Sequence, residues 1–567
     1  MRPWTAKLLP VLLLTGCGAS PNADLIFVNG NLITVDESQP RAEAVAILGD
    51  KILAVGTNQE IRELQGDQTE VIDLQGRTMV PGLVDGHLHF PRLGADRSGI
   101  IELDDARSLE EALALIRRRV ERLQPGEWLT GRGWHLSNWG TEQWPTAADL
   151  DRAAPDNPVS LVGMHSHASW LNSLALQAAG ISKDRPDPDD GIIQRDPQSQ
   201  EPTGILIENA QWLVRGVIPA GRQETLQESI GKSIRLAHSY GFTGAHDMGT
   251  SPEAVAAYRE LIAQDEFPFR INAYTRIWRS GELLDQLLAQ GPIIAEGNHR
   301  LTARGVKLSI DGALGARGAA LLDPYSDSPQ ESGVIRVPAH QVHQILQRCL
   351  ASGFTAALHA IGDRGNRIVL DAVEKALAEN PVQDHRMRVE HAQIVALDDI
   401  PRFNALDLIA SFQWIHCTLD MPWAERRVGP QRIQGGYAWR TFLNHGIRIV
   451  GGSDEGHRTF SPFLGIHAAV TRQDREGNPP GGWYPDQRLT RQEALRSYTL
   501  DAAYLSFEED VLGSITPGKL ADLAVLSGDI LSVPAEEILE IEAVMTVIGG
   551  EVVFRRDVSR QDAESAR

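Results

Sequence analysis

Eight short apolar segments, each ending in polar residues and mostly separated by helical-looking stretches, constrain the fold of this chain more than any other feature. The segments are Met79–Phe90, Gly241–Met248, Phe269–Ile277, Gly305–Asp311, Phe354–Ile361, Met387–Ile394, Leu408–His416 and Ile447–Asp454. The helical patterns between or after them include Ala339–Ala351, Ile368–Ala378 and Arg491–Tyr504. Eight buried strands with helical crossovers predict an α/β fold, a (β/α)8 barrel with its functional residues at the carboxyl ends of the strands.

Two further regions surround the predicted barrel. The gap from about residue 91 to 235 is too long for one crossover and contains the tryptophan-rich segment Gly131–Trp139. We interpret residues 96–235 as a subdomain inserted over the barrel mouth, with the catalytic barrel formed by residues 81–95 and 236–507. Short apolar segments and turn pairs such as Asn29-Gly30 and Gly549-Gly550 occur near both chain ends. Residues 24–80 and 508–557 are therefore predicted to form one composite β-sandwich.

The first 17 residues have the organisation of a bacterial export signal. A positively charged start precedes the apolar run Leu8–Leu14, which is too short to span a bilayer core of ~30 Å. The segment Leu14–Cys17 resembles the lipobox of bacterial lipoproteins, which implies a signal peptide of residues 1–16 and lipidation of Cys17. The alternative is an ordinary secretory signal in which this cysteine is incidental. Since Gly18 rather than Asp follows, we expect a lipid-anchored envelope protein, on the outer membrane facing the periplasm.

Composition narrows the class of partner. The chain has 54 Lys and Arg against 75 Asp and Glu, a net charge of −21. This charge argues against a nucleic-acid partner, because phosphate binding needs clustered positive charge. No later segment approaches the length of a membrane span, so membrane contact is expected through the N-terminal lipid only. A small-molecule enzyme is the favoured class, and the sequence leaves its oligomeric state open.

Residues that can bind metal lie at the ends of several predicted strands. His87 and His89 are two positions apart on one strand, so their side chains share a face and can share an ion. Lys307 lies inside an apolar segment, where an unpaired ammonium would be costly to bury. Three more strand ends carry His359, His391 and Asp454. A single buried histidine is more often a satisfied core residue, but chance coincidence of five such strand ends in one pattern is improbable.

Taken with further segments, these motifs resemble the amidohydrolase superfamily, in particular its amidohydrolase-3 branch of formamide-deformylase-like (YtcJ-like) proteins. The matching segments are Pro81–His89, Gly131–Trp139, Ser166–Ser173, Thr243–Met248, Lys307–Arg317, Leu358–Asp363, Val389–Gln393, Tyr437–Arg440, Gly451–Asp454, Leu464–Gln473 and Leu512–Leu526. The resemblance implies two divalent metals, with zinc suited to these ligands and manganese or iron as alternatives. It implies one ion on His87, His89 and Asp454, a second on His359 and His391, and a bridge by Lys307 carboxylated with CO2.

This site implies hydrolysis of a carbon–nitrogen bond, of amide or formamide type, in a small molecule. The metals would activate a water, and Asp454 would act as the catalytic proton shuttle. Two alternatives stay open. The same site could hydrolyse esters, lactones or dipeptides, or the protein could be a non-catalytic metal-binding lipoprotein of the envelope.

Eight other residues are candidates for contacts with substrate or with metal ligands. Asp247 could orient a ligand histidine or a substrate amine, and His416 could donate to the substrate or oxyanion. Asp311 and Arg317 could fix a loop at the barrel mouth or form a structural ion pair. Trp134 and His167 in the insertion, with Trp139 and Asn172, could form a pocket wall or lid, although such aromatics more often serve packing.

Overall fold

The computed structural model describes residues 22–95, 100–136, 139–141, 143–164, 167–219, 225–278, 281–454 and 460–557. The predicted signal peptide and Cys17 lie outside these residues. Among the helices of these ranges, none combines the length and the apolar character that crossing a bilayer would require.

Eight parallel strands form the barrel, and the short strand Ile293–Ala295 pairs antiparallel with the fourth of them. In chain order, barrel strands one to eight are Leu83–Leu88, Phe242–Thr250, Arg270–Arg276, Leu301–Ser309, Thr355–Ala360, Arg388–His391, Ile409–Gln413 and Ile449–Gly452. Each strand pairs in parallel with the next, and the last returns to the first, where the amide of Asp454 donates to the carbonyl of His87 over 2.7 Å. Each of the eight predicted segments overlaps one barrel strand, and the predicted (β/α)8 fold class is confirmed.

The first predicted strand, Met79–Phe90, is two strands in two different sheets. Thr78–Pro81 pairs with Leu523–Leu526 near the C-terminus, and Leu83–Leu88 opens the barrel. Pro81 has no amide hydrogen to continue a ladder. At Gly82 an added Cβ would lie 2.3 Å from the Thr243 hydroxyl, so the chain can cross between the two sheets only through glycine. The apolar pattern of the sequence gives no sign of this change of sheet.

Helices cover the barrel and fill its connections. The main ones are Leu226–Ser239, Pro252–Ala263, Glu282–Gln290, Ala339–Ala351, Asp363–Glu379, Ile400–Ala405, Trp414–Asp420, Ala424–Arg432, Trp439–Asn444, Pro462–Thr471, Arg491–Ser497 and Leu500–Leu505. The first begins with a capping box, in which Thr225 Oγ1 accepts from the Glu228 amide and the Glu228 carboxylate accepts from the Thr225 amide. This reciprocal bonding satisfies two amides that have no partner within the helix.

The predicted helix Arg491–Tyr504 is broken in two. The hydroxyls of Ser497 and Thr499 donate to the Ala494 and Leu495 carbonyls, which competes with continuation of the helical ladder. The break leaves the carbonyl of Tyr498 to accept from the amide of Val84 in the first barrel strand over 2.7 Å. Tertiary bonding to the barrel therefore overrides local helical preference here.

Strands from both ends of the chain form the small β domain. One sheet contains Ala23–Val28, Ala44–Leu48, Lys51–Gly56 and Gln65–Asp73. The second combines N-terminal strands with C-terminal ones: Asn31–Ile33, Arg41–Ala42, Thr78–Pro81, Leu523–Leu526, Ala543–Ile548 and Glu551–Arg555. Buried side chains of both sheets, including Phe27, Ile47 and Val525, form one shared core. This is the β-sandwich of the predicted fold class, whereas the domain boundaries stay predictions.

The insertion has a mixed sheet and a core of its own. Its strands are Ile101–Glu102, Leu129–Trp134, Val159–Gly163, Ala168–Leu171, Gly191–Arg195 and Pro202–Glu208, and its main helices are Leu109–Val120, Ala147–Ala153 and Ser173–Ala178. Trp134, Trp139 and Trp170 are buried together in its core. The last strand of the insertion ends at Glu208, which brings this unit to the carboxyl end of the barrel.

Candidate metal centre and active site

The first barrel strand and the residue after it carry three polar side chains at the barrel mouth. Asp85 and His87 are two positions apart in the strand, which turns them to the same side, and His89 follows directly after the strand end at Leu88. The carboxylate of Asp85 accepts from the His87 amide over 3.0 Å and from the Ser453 amide over 3.1 Å. Sequence reasoning gave this aspartate no role, yet it joins the first strand to the end of the eighth.

His87 is fixed by a buried carboxylate from the sixth strand. Its Nδ1 lies 2.5 Å from Glu390 Oε2, and both side chains are fully buried. Although burial opposes ionisation, the adjacent Arg388 and His87 lower the pKa of Glu390 well below its usual value. An ionised partner on Nδ1 holds the proton there and leaves Nε2 as a free ligand atom. Glu390 is therefore a positioning residue that sequence reasoning missed.

Asp454 lies between the two histidines of the first strand. Its Oδ1 is 3.1 Å from His87 Nε2 and 3.5 Å from His89 Nε2. The three residues offer one ligand atom each, all within 4.8 Å of one another. Burial opposes ionisation of Asp454, but the neighbouring His87 and His89 outweigh it and hold its pKa well below the usual value. These three side chains form the first candidate ion site, and they match one predicted set.

A second group of ligand atoms shares Asp454. His391, His416 and Asp454 also bring one ligand atom each within 4.8 Å of one another. His416 Nε2 lies 3.7 Å from Asp454 Oδ2, and the Nδ1 of His391 lies 2.5 Å from Gln413 Oε1. His416 belongs to the helix Trp414–Asp420 and not to the end of the seventh strand, because that strand stops at Gln413. The structure therefore adds His416 to the residues that can hold an ion.

His359 and Lys307 border the same space. The imidazole of His359 packs 4.5 Å from that of His391 between ring centroids. His359 Nε2 is buried and makes no hydrogen bond, although Asp311 Oδ1 lies 3.4 Å away. Lys307 Nζ lies 3.5 Å from His87 Nε2. The sequence-predicted ligands thus converge at one end of the barrel, although His359 belongs to neither of the two three-residue groups.

Burial sets the protonation state of these groups. It lowers the pKa of His89 to about 4, and it lowers the pKa values of His359 and His391 well below the ordinary value. It also lowers the pKa of Lys307 to about 8. Neutral imidazoles and an ionised carboxylate are the forms that ligate divalent cations. The donor set and the buried His359 nitrogen without a hydrogen bond therefore fit a metal centre.

The insertion contributes a charged pair to the same region. His167 Nδ1 lies 2.9 Å from Glu208 Oε1, and the His167 ring is 6.0 Å from that of His359. Arg336 Nη1 donates to Glu208 Oε2 over 3.2 Å. Burial alone would lower the pKa of His167, but Glu208 outweighs it and raises that pKa above the usual value. Glu208, which sequence reasoning missed, thus favours the protonated form of His167 beside the metal-binding residues.

The contacts of Asp247 differ from the predicted contact with a ligand histidine. Asp247 touches the Phe90 amide and the hydroxyls of Thr250 and Tyr258, over 2.9–3.0 Å, so it fixes the backbone after His89 and orients no ligand ring directly. Its side chain points toward the outer helix Pro252–Ala263, which contains Tyr258. The function of Asp247 is therefore to hold the start of the segment that follows the first strand.

Asp311 and Arg317 do not pair with each other. The carboxylate of Asp311 accepts from the amides of Ala320, Ile361 and Gly362 over 2.8–3.0 Å, which leaves it committed to the mouth loop. Arg317 pairs with Asp327 over 3.1 Å. Of the two alternatives, the contacts support the loop-fixing role for Asp311.

The aromatic and amide residues proposed as a pocket wall are structural. The indole N–H of Trp134 donates to the Leu161 carbonyl over 2.8 Å, inside the core of the insertion. Asn172 accepts from the Ala175 amide over 3.0 Å and caps the helix Ser173–Ala178. Among the four candidates in the insertion, His167 is the one brought to the metal-binding residues.

Comparisons with known proteins agree with this geometry. A sequence profile described as "Amidohydrolase family" matches residues 70–554. The chain is 33% identical to YtcJ of Bacillus subtilis over 539 residues, which cover 94% of this chain and 99% of that protein. It is 30% identical to the N-substituted formamide deformylase of Arthrobacter pascens over 557 residues, 94% of this chain and 98% of that enzyme.

A solved structure extends the likeness to three dimensions. The crystal structure of an uncharacterized metal-dependent hydrolase from Pyrococcus horikoshii superposes with a TM-score of 0.68 at 28% sequence identity. The match covers 90% of this chain and 99% of that one. The likeness therefore extends over nearly the whole of both chains.

Proposed function

The chain belongs to the amidohydrolase family, and from this premise we propose that it is a metal-dependent hydrolase that cleaves a carbon–nitrogen bond, of amide or formamide type, in a small molecule. The convergence of His87, His89, His391, His416 and Asp454 at one end of the barrel carries the proposal. Similarity to N-substituted formamide deformylase along nearly the whole chain supports the type of bond.

Two divalent cations, of which zinc suits nitrogen and oxygen ligands best, are the proposed cofactor. His87, His89 and Asp454 would hold one ion, and His391 with His359 or His416 would hold the other. When bound, such ions lower the pKa of a water molecule and polarise a carbonyl oxygen. The protein supplies neutral imidazoles, an ionised Asp454 and the buried Glu390, which keeps His87 in the ligating tautomer.

Asp454 is the proposed proton shuttle. Its pKa is held well below the usual value, so at neutral pH it is ionised and can accept the proton of the attacking water. It would then pass that proton to the leaving nitrogen, because an unprotonated amide nitrogen is a poor leaving group. His167 and His416 border the site and can donate hydrogen bonds to the substrate carbonyl as negative charge develops on its oxygen.

Lys307 is proposed to be carboxylated by CO2. Carboxylation needs the neutral amine, and burial, which lowers the pKa of Lys307 to about 8, makes that form accessible near neutral pH. The product is an anion, which removes the cost of a buried ammonium next to His87. Lys307→Ala should lose activity, and a short carboxylic acid added in solution should partly restore it if a carboxylate is what the site needs.

Elemental analysis combined with a substrate panel tests the proposal. Protein from a metal-supplemented culture should contain stoichiometric divalent metal, and it should hydrolyse formamides or N-acyl compounds. Asp454→Asn should lower kcat by about 1,000-fold or more while the circular dichroism spectrum is unchanged. Folded protein without metal, activity on oxygen esters alone, or an Asp454→Asn variant as active as the parent would each reject the proposal.

The predicted export signal leads to a proposal about location. We propose that cleavage precedes Cys17 and that lipid on this cysteine anchors the enzyme in the cell envelope, on the outer membrane. The Leu14–Cys17 resemblance to a lipobox supports it. Cys17→Ser should move the protein from the detergent phase to the aqueous phase on Triton X-114 partition, and a variant that stays in the detergent phase would contradict lipidation.

A further inference from the structure

Arg276 is a cation at the barrel mouth that the proposed chemistry does not use. It ends the third barrel strand and is in register with Lys307 of the fourth. Paired residues of adjacent parallel strands lie ~4.8 Å apart and turn their side chains to the same side. Arg276 therefore shares with Lys307 the inner face and the carboxyl end of the barrel, where the metal-binding residues lie.

The guanidinium of Arg276 has no hydrogen bond or ion pair with any residue in the described part of the chain. Its contacts are the ring of Trp278, with 5.2 Å from the guanidinium carbon to the ring centroid, and the backbone of Gly249. At Gly249 a Cβ would lie 2.7 Å from both Nε and Nη2 of Arg276, so the glycine makes room for the guanidinium. Such a cation, only partly exposed to solvent, would normally be paired.

Other cations lie around Arg276. Arg336 contacts the ring of Trp278 at 5.1 Å, although it also pairs with Glu208. Burial first, and then repulsion by Arg336 and Arg92, lowers the pKa of Arg276 to about 10, so it is cationic at neutral pH. Attraction from Asp454 and Asp247 acts in the other direction without forming a contact. This side of the mouth is therefore a positive region in a chain whose net charge is −21.

We propose that Arg276 binds a carboxylate of the substrate, which makes the substrates N-formyl or N-acyl amino acids, or amides with an anionic group equally near the scissile bond. A guanidinium with its donors unused matches a carboxylate in two parallel hydrogen bonds. Arg276 is paired with Lys307 on the next strand. A carboxylate bound to Arg276 would therefore be separated from the reacting carbonyl by about the length of one amino-acid residue. Trp278, which is 38% exposed, can cover the adjacent apolar part of the substrate.

This inference rests on the proposed amide hydrolysis, and a matched pair of substrates separates the two. N-formylphenylalanine and N-formyl-2-phenylethylamine share the scissile bond and the ring, and differ in the carboxylate. The metal-loaded parent should hydrolyse the first with a kcat/KM at least about 10-fold higher. Arg276→Gln should lower kcat/KM for the first by about 10- to 100-fold and leave the second within about twofold. Arg276→Lys should recover part of the loss.

Binding provides a readout that does not depend on turnover. Calorimetric titration of the metal-loaded enzyme with 3-phenylpropanoate and with 3-phenylpropanol should show tighter binding of the acid, and Arg276→Gln should remove that preference. Arg259→Gln is the matched control, because Arg259 is exposed and pairs with Glu296 on the outer surface. It should behave as the parent in both assays.

Three outcomes would overturn the inference: a parent that prefers the neutral formamide, an Arg276→Gln variant that loses both substrates equally, or one that binds 3-phenylpropanoate as tightly as the parent. If neither formamide is hydrolysed but Arg276→Gln abolishes preferential binding of the acid, the proposed bond type fails and the anion site stands. If both are hydrolysed without regard to the carboxylate, the proposed function stands and the anion site fails.

Discussion

Burial and neighbouring groups together set the protonation states of the side chains around the candidate centre, and these states suit the binding of a cation. Burial lowers the pKa values of His89, His359 and His391, because a charged imidazole loses its hydration there. It opposes ionisation of Asp454 as well, yet neighbouring imidazoles reverse the result and keep that carboxyl ionised. The protein therefore presents neutral nitrogen ligands and one shared anion at neutral pH, so little proton release from these groups should accompany metal binding.

A histidine far from the centre allows burial to be tested by pH. His238 is buried at the end of the helix Leu226–Ser239, and its Nε2 lies 2.8 Å from the Pro268 carbonyl. Burial lowers its pKa to about 4 from an unfolded value near 6.5. Between these values the unfolded chain binds more protons, so the stability that the neutral His238 provides is complete above pH 6.5 and is lost as the pH falls toward 4.

His238→Gln keeps an amide donor for the Pro268 carbonyl and removes the titration. Between pH 7.5 and pH 5 the parent should lose about 2 kcal/mol of unfolding free energy more than this variant, as measured from urea denaturation curves. His340→Gln is a suitable control, since that side chain is exposed at the start of a helix. Equal losses in the parent and in His238→Gln would show that His238 is not buried as described.

At the scale of elements, one strand of the insertion completes the charge distribution of the barrel mouth. Glu208 ends the strand Pro202–Glu208 and binds His167 and Arg336 at once. Glu208→Gln preserves the shape of the side chain but removes the negative charge that His167 and Arg336 both face. Because Arg336 would then be buried without a counter-ion, we expect a loss of about 3 kcal/mol in unfolding free energy. We also expect a roughly 10-fold lower kcat, as His167 loses its raised pKa.

Denaturation curves and pH–rate profiles check these two expectations separately. Glu201→Gln, at an exposed position just before the same strand, should match the parent in both. A Glu208→Gln variant with the parent's denaturation midpoint would mean that the ion pair with Arg336 contributes nothing to stability. An unchanged pH–rate profile would remove His167 from the groups that act on the substrate.

Sequence predicted the strand ends well, because a barrel strand is an apolar run whose last polar residues face the mouth. His87, His89, His391 and Asp454 were accessible to this reasoning, since each follows such a run. Glu208 was not, because a lone glutamate at the end of an insertion strand has no local signature. It becomes meaningful only when the fold brings Arg336 from a separate loop to it.

Asp85 and Glu390 were missed for a different reason. Both lie inside motifs that the sequence analysis used, yet each acts through a partner remote in the chain: Asp85 binds the amide of Ser453, and Glu390 binds His87. Spacing within a strand identifies which face a residue occupies but not what meets it from another strand. His416 shows the same limit, since its helix begins directly at the end of the seventh strand and local pattern does not separate the two.

At the scale of the whole molecule, the small β domain ties the two ends of the chain to the start of the barrel. Leu523–Leu526 pairs with Thr78–Pro81, and the first barrel strand follows immediately at Leu83. Arg270 on the third barrel strand pairs with Asp522, with both side chains buried and a shortest distance of 2.5 Å. The position of His87 therefore depends on strands that the chain supplies more than 400 residues later.

Truncation tests this dependence. A chain ending at Leu505 lacks the three C-terminal strands, so Thr78–Pro81 loses its antiparallel partner and Arg270 its buried counter-ion. Because exposed strand edges and an unpaired buried charge are both unfavourable, we expect this truncated chain to be recovered in the insoluble fraction and to lack bound metal. A chain ending at Asp557 keeps every described strand and serves as the control, with metal content and activity of the full chain expected. If the shorter chain were instead soluble, with stoichiometric metal, the barrel would be shown to assemble its metal site without the composite domain, and the coupling argued from Leu523–Leu526 would be wrong.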